Sequence, residues 1–88
     1  MSADSSVWCV YLLECADGTF YCGTAKDLVK RVQQHNAGKG SKYVRSRRPA
    51  KLVVYSDRTT KSKALRGEAS VKKLRSDQKW NAVRNLFR

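Results

Sequence analysis

Val7-Trp8-Cys9-Val10-Tyr11-Leu12-Leu13, then Cys15-Ala16-Asp17-Gly18-Thr19, then Phe20-Tyr21-Cys22-Gly23: this stretch decides the fold. The first run is continuously apolar and rich in β-branched and aromatic side chains, which predicts a strand covered on both faces and therefore central in its sheet. The Asp-Gly pair predicts a tight hairpin into a second strand. Two loop lengths fit. A two-residue loop pairs Glu14 with Tyr21 and sends Tyr11 and Tyr21 to opposite faces. A three-residue loop, with Gly18 left-handed after a type I turn, pairs Leu13 with Tyr21 and places both tyrosines on one face.

Downstream, Thr24 is an expected N-cap, with Asp27 as the partner of a short capping box, for a helix running to about Asn36. Leu28, Val29 and Val32 form its apolar stripe, and Arg31 and His35, four apart, share one margin of it. Gly38 to Pro49 reads as a solvated basic loop or short helical turn. Leu52-Val53-Val54-Tyr55 is a third strand. Thr59 or Thr60 then caps a helix to about Leu74 with Ala64, Leu65, Ala69, Val71 and Leu74 as its apolar residues. Glu68 falls on that apolar side, which is unusual for a carboxylate. Ser76 starts a last helix in which Trp80, Val83, Arg84 and Phe87 share a face. The expected architecture is α+β: a small three-stranded, largely antiparallel sheet flanked by about three helices. One domain is expected over residues 1–88, with the motif-bearing part at 7–74 and a C-terminal helix at about 76–87.

Eighty-eight residues suffice for one small core, since a chain of this length buries only about 60–65% of its unfolded surface. Nineteen Lys and Arg against seven Asp and Glu give a net charge of +12, which implies attraction to polyanions. Every basic residue lies at or after Lys26, beyond the first hairpin. A membrane is the weakest polyanion here, because no apolar run approaches the ~18 residues of a spanning helix. Met1 to Ser6 has neither the basic start nor the apolar stretch of a signal peptide, so a cytoplasmic location is expected. Cys9, Cys15 and Cys22, with a single His and no CxxC pair, do not make a zinc finger and read as buried reduced thiols.

Five residues stand out as carriers of chemistry: Tyr11, Tyr21, Arg31, His35 and Glu68. Each has a bland explanation. Strand tyrosines usually pack, and an Arg with a His four residues on is usually a wet helix margin. Glu68 resists dismissal, because a buried carboxylate is destabilising unless it finds a cation. Its partner is either an Arg, which is structural, or a metal, which is functional. Lys39, Lys42, Arg45, Arg47 and Arg48, with Tyr43 among them, have the composition of a nucleic-acid contact, cations for phosphates and an aromatic ring for base stacking.

With those residues in place, the order Cys9-Val10-Tyr11, nine intervening residues, Tyr21-Cys22-Gly23, then Arg31 and a later Glu68, resembles the GIY-YIG nuclease domain. Cys9 and Val10 stand for Gly-Ile and Cys22 for the second Ile; these are backbone and packing positions. Gln34-His35-Asn36, Gly38-Lys39-Gly40-Ser41-Lys42-Tyr43, Arg47-Arg48-Pro49 and Ala64-Leu65-Arg66-Gly67-Glu68-Ala69 look like the small single-domain YhbQ-like (UPF0213-type) branch. The resemblance spans roughly Val7 to Leu74.

It implies a metal-dependent endonuclease that hydrolyses a nucleic-acid phosphodiester bond, with DNA favoured over RNA; a single domain with an open basic face suits single strands or flexible junctions. Glu68 would bind one divalent cation, Mg²⁺ with Mn²⁺ as a substitute, and Arg31 would hold the scissile phosphate. Tyr11 would act as general base with its pKa lowered by Arg31 and the cation. Tyr21 and His35 would share between them the water, the phosphate and the proton relay. Two other readings compete. One is a non-catalytic basic DNA- or RNA-binding module that retains the fold. The other is a structural protein in which Glu68 pairs with Arg31.

Overall fold

The computed structural model describes residues 6–88, so the reading of the first five residues lies outside it. Strand β1 (Cys9–Glu14) lies between β2 (Phe20–Ala25) and β3 (Lys51–Tyr55), and both pairings are antiparallel. The central position follows from the continuous apolar run. Cys9, Tyr11 and Leu13 point to one cluster, Val10 and Leu12 to another, and all five are fully or almost fully buried. Each buried aliphatic side chain there contributes roughly 2 kcal/mol relative to exposure.

The hairpin takes the longer of the two loops. Gly18 N–H donates to Cys15 O at 2.9 Å, Cys15 N–H donates to Thr19 O at 2.8 Å, and Gly18 is left-handed at φ 84. Leu13 consequently pairs with Tyr21 and Tyr11 with Gly23, so the two tyrosines share a face. The β1–β3 ladder slips between Leu12 and Leu13, where Val54 and Leu52 are the partners and Val53 is the extra residue.

Helix α1 (Leu28–Asn36) and the single turn α2 (Lys42–Arg45) are followed after β3 by α3 (Lys61–Lys72) and α4 (Ser76–Asn85). Leu28 and Val44 join the Tyr11 cluster, whereas Ala64, Val71 and Val83 join the cluster around Val10 and Leu12. Four helical segments thus replace the three expected, the extra one being the turn within the basic stretch.

Three expectations are corrected in detail. The cap of α1 is Asp27, whose carboxylate accepts from Lys30 N–H, because Thr24 is held in β2 opposite Val10. Val29 is 70% exposed: the inward positions are Leu28, Val32 and His35, spaced four and three apart, and Val29 lies a quarter-turn away. In α3, which Thr60 caps, the buried line is Ala64, Gly67 and Val71, leaving Leu65 and Ala69 exposed. Gly67 lies against Phe87: a Cβ there would stand 2.9 Å from Phe87 Cζ and push that ring aside.

The three cysteines are free and buried, and burial pushes the Cys22 thiol up to about 12. No helix among the described residues is long and apolar enough to cross a membrane.

Candidate active site

Tyr11, in the middle of the central strand, is 1% exposed, and its ring crosses the backbone of Gly23 on β2. A Cβ at position 23 would stand 2.5 Å from Tyr11 Oη and 2.6 Å from Cζ, so only glycine lets the phenol reach the edge of the sheet. Tyr21, two residues earlier on the same face, has its ring centroid 6.5 Å from that of Tyr11.

His35, one turn after Arg31 on α1, is fully buried between them, 5.3 Å from the Tyr21 centroid. Its tautomer is fixed by the backbone. Ser41 N–H donates to Nδ1 at 3.3 Å, so the ring proton resides on Nε2, which donates to Tyr11 Oη at 2.8 Å. The Gly38-Lys39-Gly40-Ser41 loop reaches the ring because Gly40 has no side chain; a Cβ there would collide with His35 Nδ1. Burial, and after it the charge of Arg31, push the His35 pKa below its ordinary value, which keeps the ring neutral. Arg31 is half-buried, with Nη1 donating to Gln34 Oε1 at 3.2 Å.

Glu68 reaches the same place from the other side of the sheet. Its side chain is only 18% exposed, as its position on the apolar side of α3 predicts. Its partner is Lys72, one turn on, with Nζ 2.7 Å from Oε2, and not Arg31 as the structural reading of this carboxylate expected. The i,i+4 spacing within α3 makes that pair local, while Arg31 belongs to a helix on the opposite face. Lys72 Nζ also lies 5.5 Å from the Tyr21 ring centroid, and Glu68 is close enough to raise the Tyr11 pKa by its charge. Because β2 is an edge strand, groups from both faces meet over it.

The Tyr11 pKa is pushed up to about 12, opposite to the lowering expected of its cations. Burial dominates, Tyr21 and Glu68 add to it, and hydrogen bonding and charge from Arg31 offset only part.

The basic stretch divides in two. Arg47 donates to Asp17 Oδ2 at 3.1 Å and to Tyr43 O at 2.9 Å, with its guanidinium 3.8 Å from the Tyr43 centroid. Arg48 donates to Arg45 O and Asn36 O. Tyr43 stacks on Tyr21 at 6.1 Å. These three, expected to contact nucleic acid, are built into the loop that carries Ser41. Lys39, Lys42 and Arg45 are exposed and form no ion pair among the described residues.

The five residues singled out by sequence therefore converge. Sequence reasoning missed the Ser41 amide and Gly40, since a backbone donor leaves no mark in residue types. The Gly-Lys-Gly spacing was the available signal. The family model described as the GIY-YIG catalytic domain matches residues 7–81.

The chain belongs to the GIY-YIG family.

A UPF0213 protein of Cupriavidus necator is 46% identical to it over 79 residues, which is 90% of this chain and 85% of the relative. A UPF0213 protein of Staphylococcus epidermidis is 46% identical over 74 residues, 84% of this chain and 90% of the relative. The solution NMR structure of the UPF0213 protein BH0048 from Bacillus halodurans shares 41% identity and aligns with a TM-score of 0.52, covering 86% of this chain and 81% of that one. In GIY-YIG terms, Tyr11 and Tyr21 are the two motif tyrosines and Gly23 is the motif glycine that makes room for the first of them.

Among the described residues no three His, Cys, Asp or Glu side chains cluster as a ready metal cage. Glu68 nevertheless suits a hard cation that keeps most of its water. It is a carboxylate of low exposure whose partner is a flexible lysine with its side chain 47% exposed, free to swing aside.

Proposed function

We propose that this GIY-YIG domain is a metal-dependent endonuclease acting on a nucleic-acid phosphodiester, with DNA favoured and single strands the preferred form. The observation that carries the reading is the meeting of Tyr11, Arg31 and Glu68 at one strand edge, in a domain of a nuclease family, with Tyr11 oriented by a buried His35.

Glu68 would hold Mg²⁺ or Mn²⁺ there, and the ion when bound supplies charge neutralisation of the phosphate and offsets the Glu68 charge that now raises Tyr11. Arg31 binds non-bridging phosphate oxygens with its planar fork as they gain charge. Tyr11, as phenolate, takes the proton of the attacking water. The water oxygen forms the new bond to phosphorus, the bond to the 3′ oxygen breaks, that oxygen takes a proton from solvent water, and the products carry a 5′-phosphate and a 3′-hydroxyl.

His35 is a positioning residue. Ser41 N–H holds its Nδ1 and its Nε2–H is directed at Tyr11 Oη, where it stabilises the phenolate. Tyr21, half-buried beside Lys72, is left to orient the water.

A second reading, a non-catalytic basic DNA- or RNA-binding module, draws on the Glu68–Lys72 pair and the high Tyr11 pKa. One experiment separates them: cleavage of end-labelled single-stranded and duplex DNA and RNA with Mg²⁺, Mn²⁺ or EDTA, comparing wild type with Glu68→Ala. Metal-dependent cutting that disappears in the variant while binding persists supports the nuclease. Salt-sensitive binding without cutting, equal in both proteins, establishes the binding module.

A further inference from the structure

Trp8 immediately precedes β1 and is held by a two-hydrogen-bond bridge to Thr59, with Trp8 N–H donating to Thr59 O at 2.9 Å and Thr59 N–H to Trp8 O at 2.7 Å. Part of the indole packs against the cluster around Val10 and Leu12. The rest faces a groove of about 280 Å³ that it lines together with Thr24, Lys26, Lys30, Arg31 and Gln34. Lys26 Nζ and Lys61 Nζ lie 5.8 and 5.3 Å from the indole centroid.

Arg31 belongs both to this groove and to the Tyr11 site, so the two are continuous. The carboxylate in the groove, Asp27, is engaged as the cap of α1 by Lys30 N–H. The groove thus joins a partly buried indole, the Lys26 and Lys30 cations and the phosphate-binding arginine. Tyr43, the aromatic in the basic loop, is instead stacked on Tyr21 with the Arg47 guanidinium over its ring.

We infer that this groove is the subsite for the nucleotide next to the scissile phosphate, with its base stacked on Trp8 and its outer phosphate held by Lys26 and Lys30. The inference rests on the nucleic-acid reading above and deepens it by giving the strand a path from Arg31 toward Trp8. Stacking on an indole accepts any base, so the subsite favours unpaired nucleotides without reading sequence. A paired base has its faces covered by its neighbours in the stack and is not available to Trp8.

Trp80→Phe leaves Trp8 as the only indole in the chain. In that variant, with EDTA present, Trp8 emission is followed while an eight-residue oligothymidylate or oligouridylate is added, in parallel with inorganic polyphosphate of matched charge. Saturable quenching by the oligonucleotides and none by polyphosphate is expected. Trp8→Ala should weaken oligonucleotide binding about tenfold and leave polyphosphate binding unchanged. The fluorescence titration requires no change at position 8, so it decides the matter even where Trp8→Ala fails to fold. Unmoved Trp8 emission at saturating oligonucleotide, or no oligonucleotide binding, overturns the subsite. Cutting with unmoved Trp8 emission leaves the nuclease reading standing without the subsite, and quenching without cutting does the reverse.

Discussion

Tyr11→Phe removes one oxygen and keeps the ring. His35 Nε2–H, in a side chain with no exposed surface, then loses its acceptor, while Ser41 N–H still holds Nδ1 as an acceptor and prevents the proton from moving there. A buried donor left without a partner costs about 1–3 kcal/mol. In a domain of this size that corresponds to a fall in Tm of about 4 to 24 °C. The pairing can be isolated by urea unfolding of Tyr11→Phe, His35→Leu and the double variant. The double variant no longer contains the orphaned Nε2–H, so its loss should fall short of the sum of the singles by about 1–2 kcal/mol. Imidazole ¹⁵N shifts of the wild type give an independent check, with Nδ1 bare and Nε2 protonated. A coupling below about 0.5 kcal/mol, or a proton found on Nδ1, refutes the reasoning. Cleavage should fall about 10²–10⁴-fold in Tyr11→Phe, the range for loss of a general base.

Gly23→Ala pushes a methyl group into Tyr11 Oη and Cζ; it should destabilise the domain by about 1–3 kcal/mol and reduce cleavage as Tyr11→Phe does, and full activity with an unmoved phenol would sink that account. The pH dependence of single-turnover cleavage has a definite sign. Tyr11 must be deprotonated to act, and its pKa is held up to about 12, so the active fraction grows as pH rises. Log rate should climb from pH 6 to 9 with a slope of about 1, one decade per unit for a base well below its pKa, and a flat line over that interval counts against Tyr11 as the base.

Much of this was legible in the chain because it depends on local chemistry. The apolar run through Leu13 forces a central strand, and the hairpin alternatives were both visible. What chose between them was Gly18, whose left-handed turn places the tyrosines together. Glu68 was recognisable as anomalous from helical spacing alone. Its partner was not, because sequence favours no particular cation among nineteen, whereas the i,i+4 geometry of α3 favours Lys72. The upward shift of Tyr11 escaped for a related reason: cations are visible in sequence, but the burial that outweighs them is a property of the packed sheet. The internal bracing by Arg47 and Arg48 was not legible, because a basic loop and a loop cross-braced by its own guanidinium groups have the same composition.

The Ser41 amide gives the molecule an unusual genetics. Nineteen of the twenty amino acids supply a backbone N–H, so every replacement of Ser41 except proline keeps the donor that sets where His35 carries its hydrogen. A mutational survey of side chains would score this position by its hydroxyl, which caps α2, and pass over its larger task. The information that readies the phenol is stored in the path of the main chain, where Gly40 permits that path and no letter at position 41 announces it.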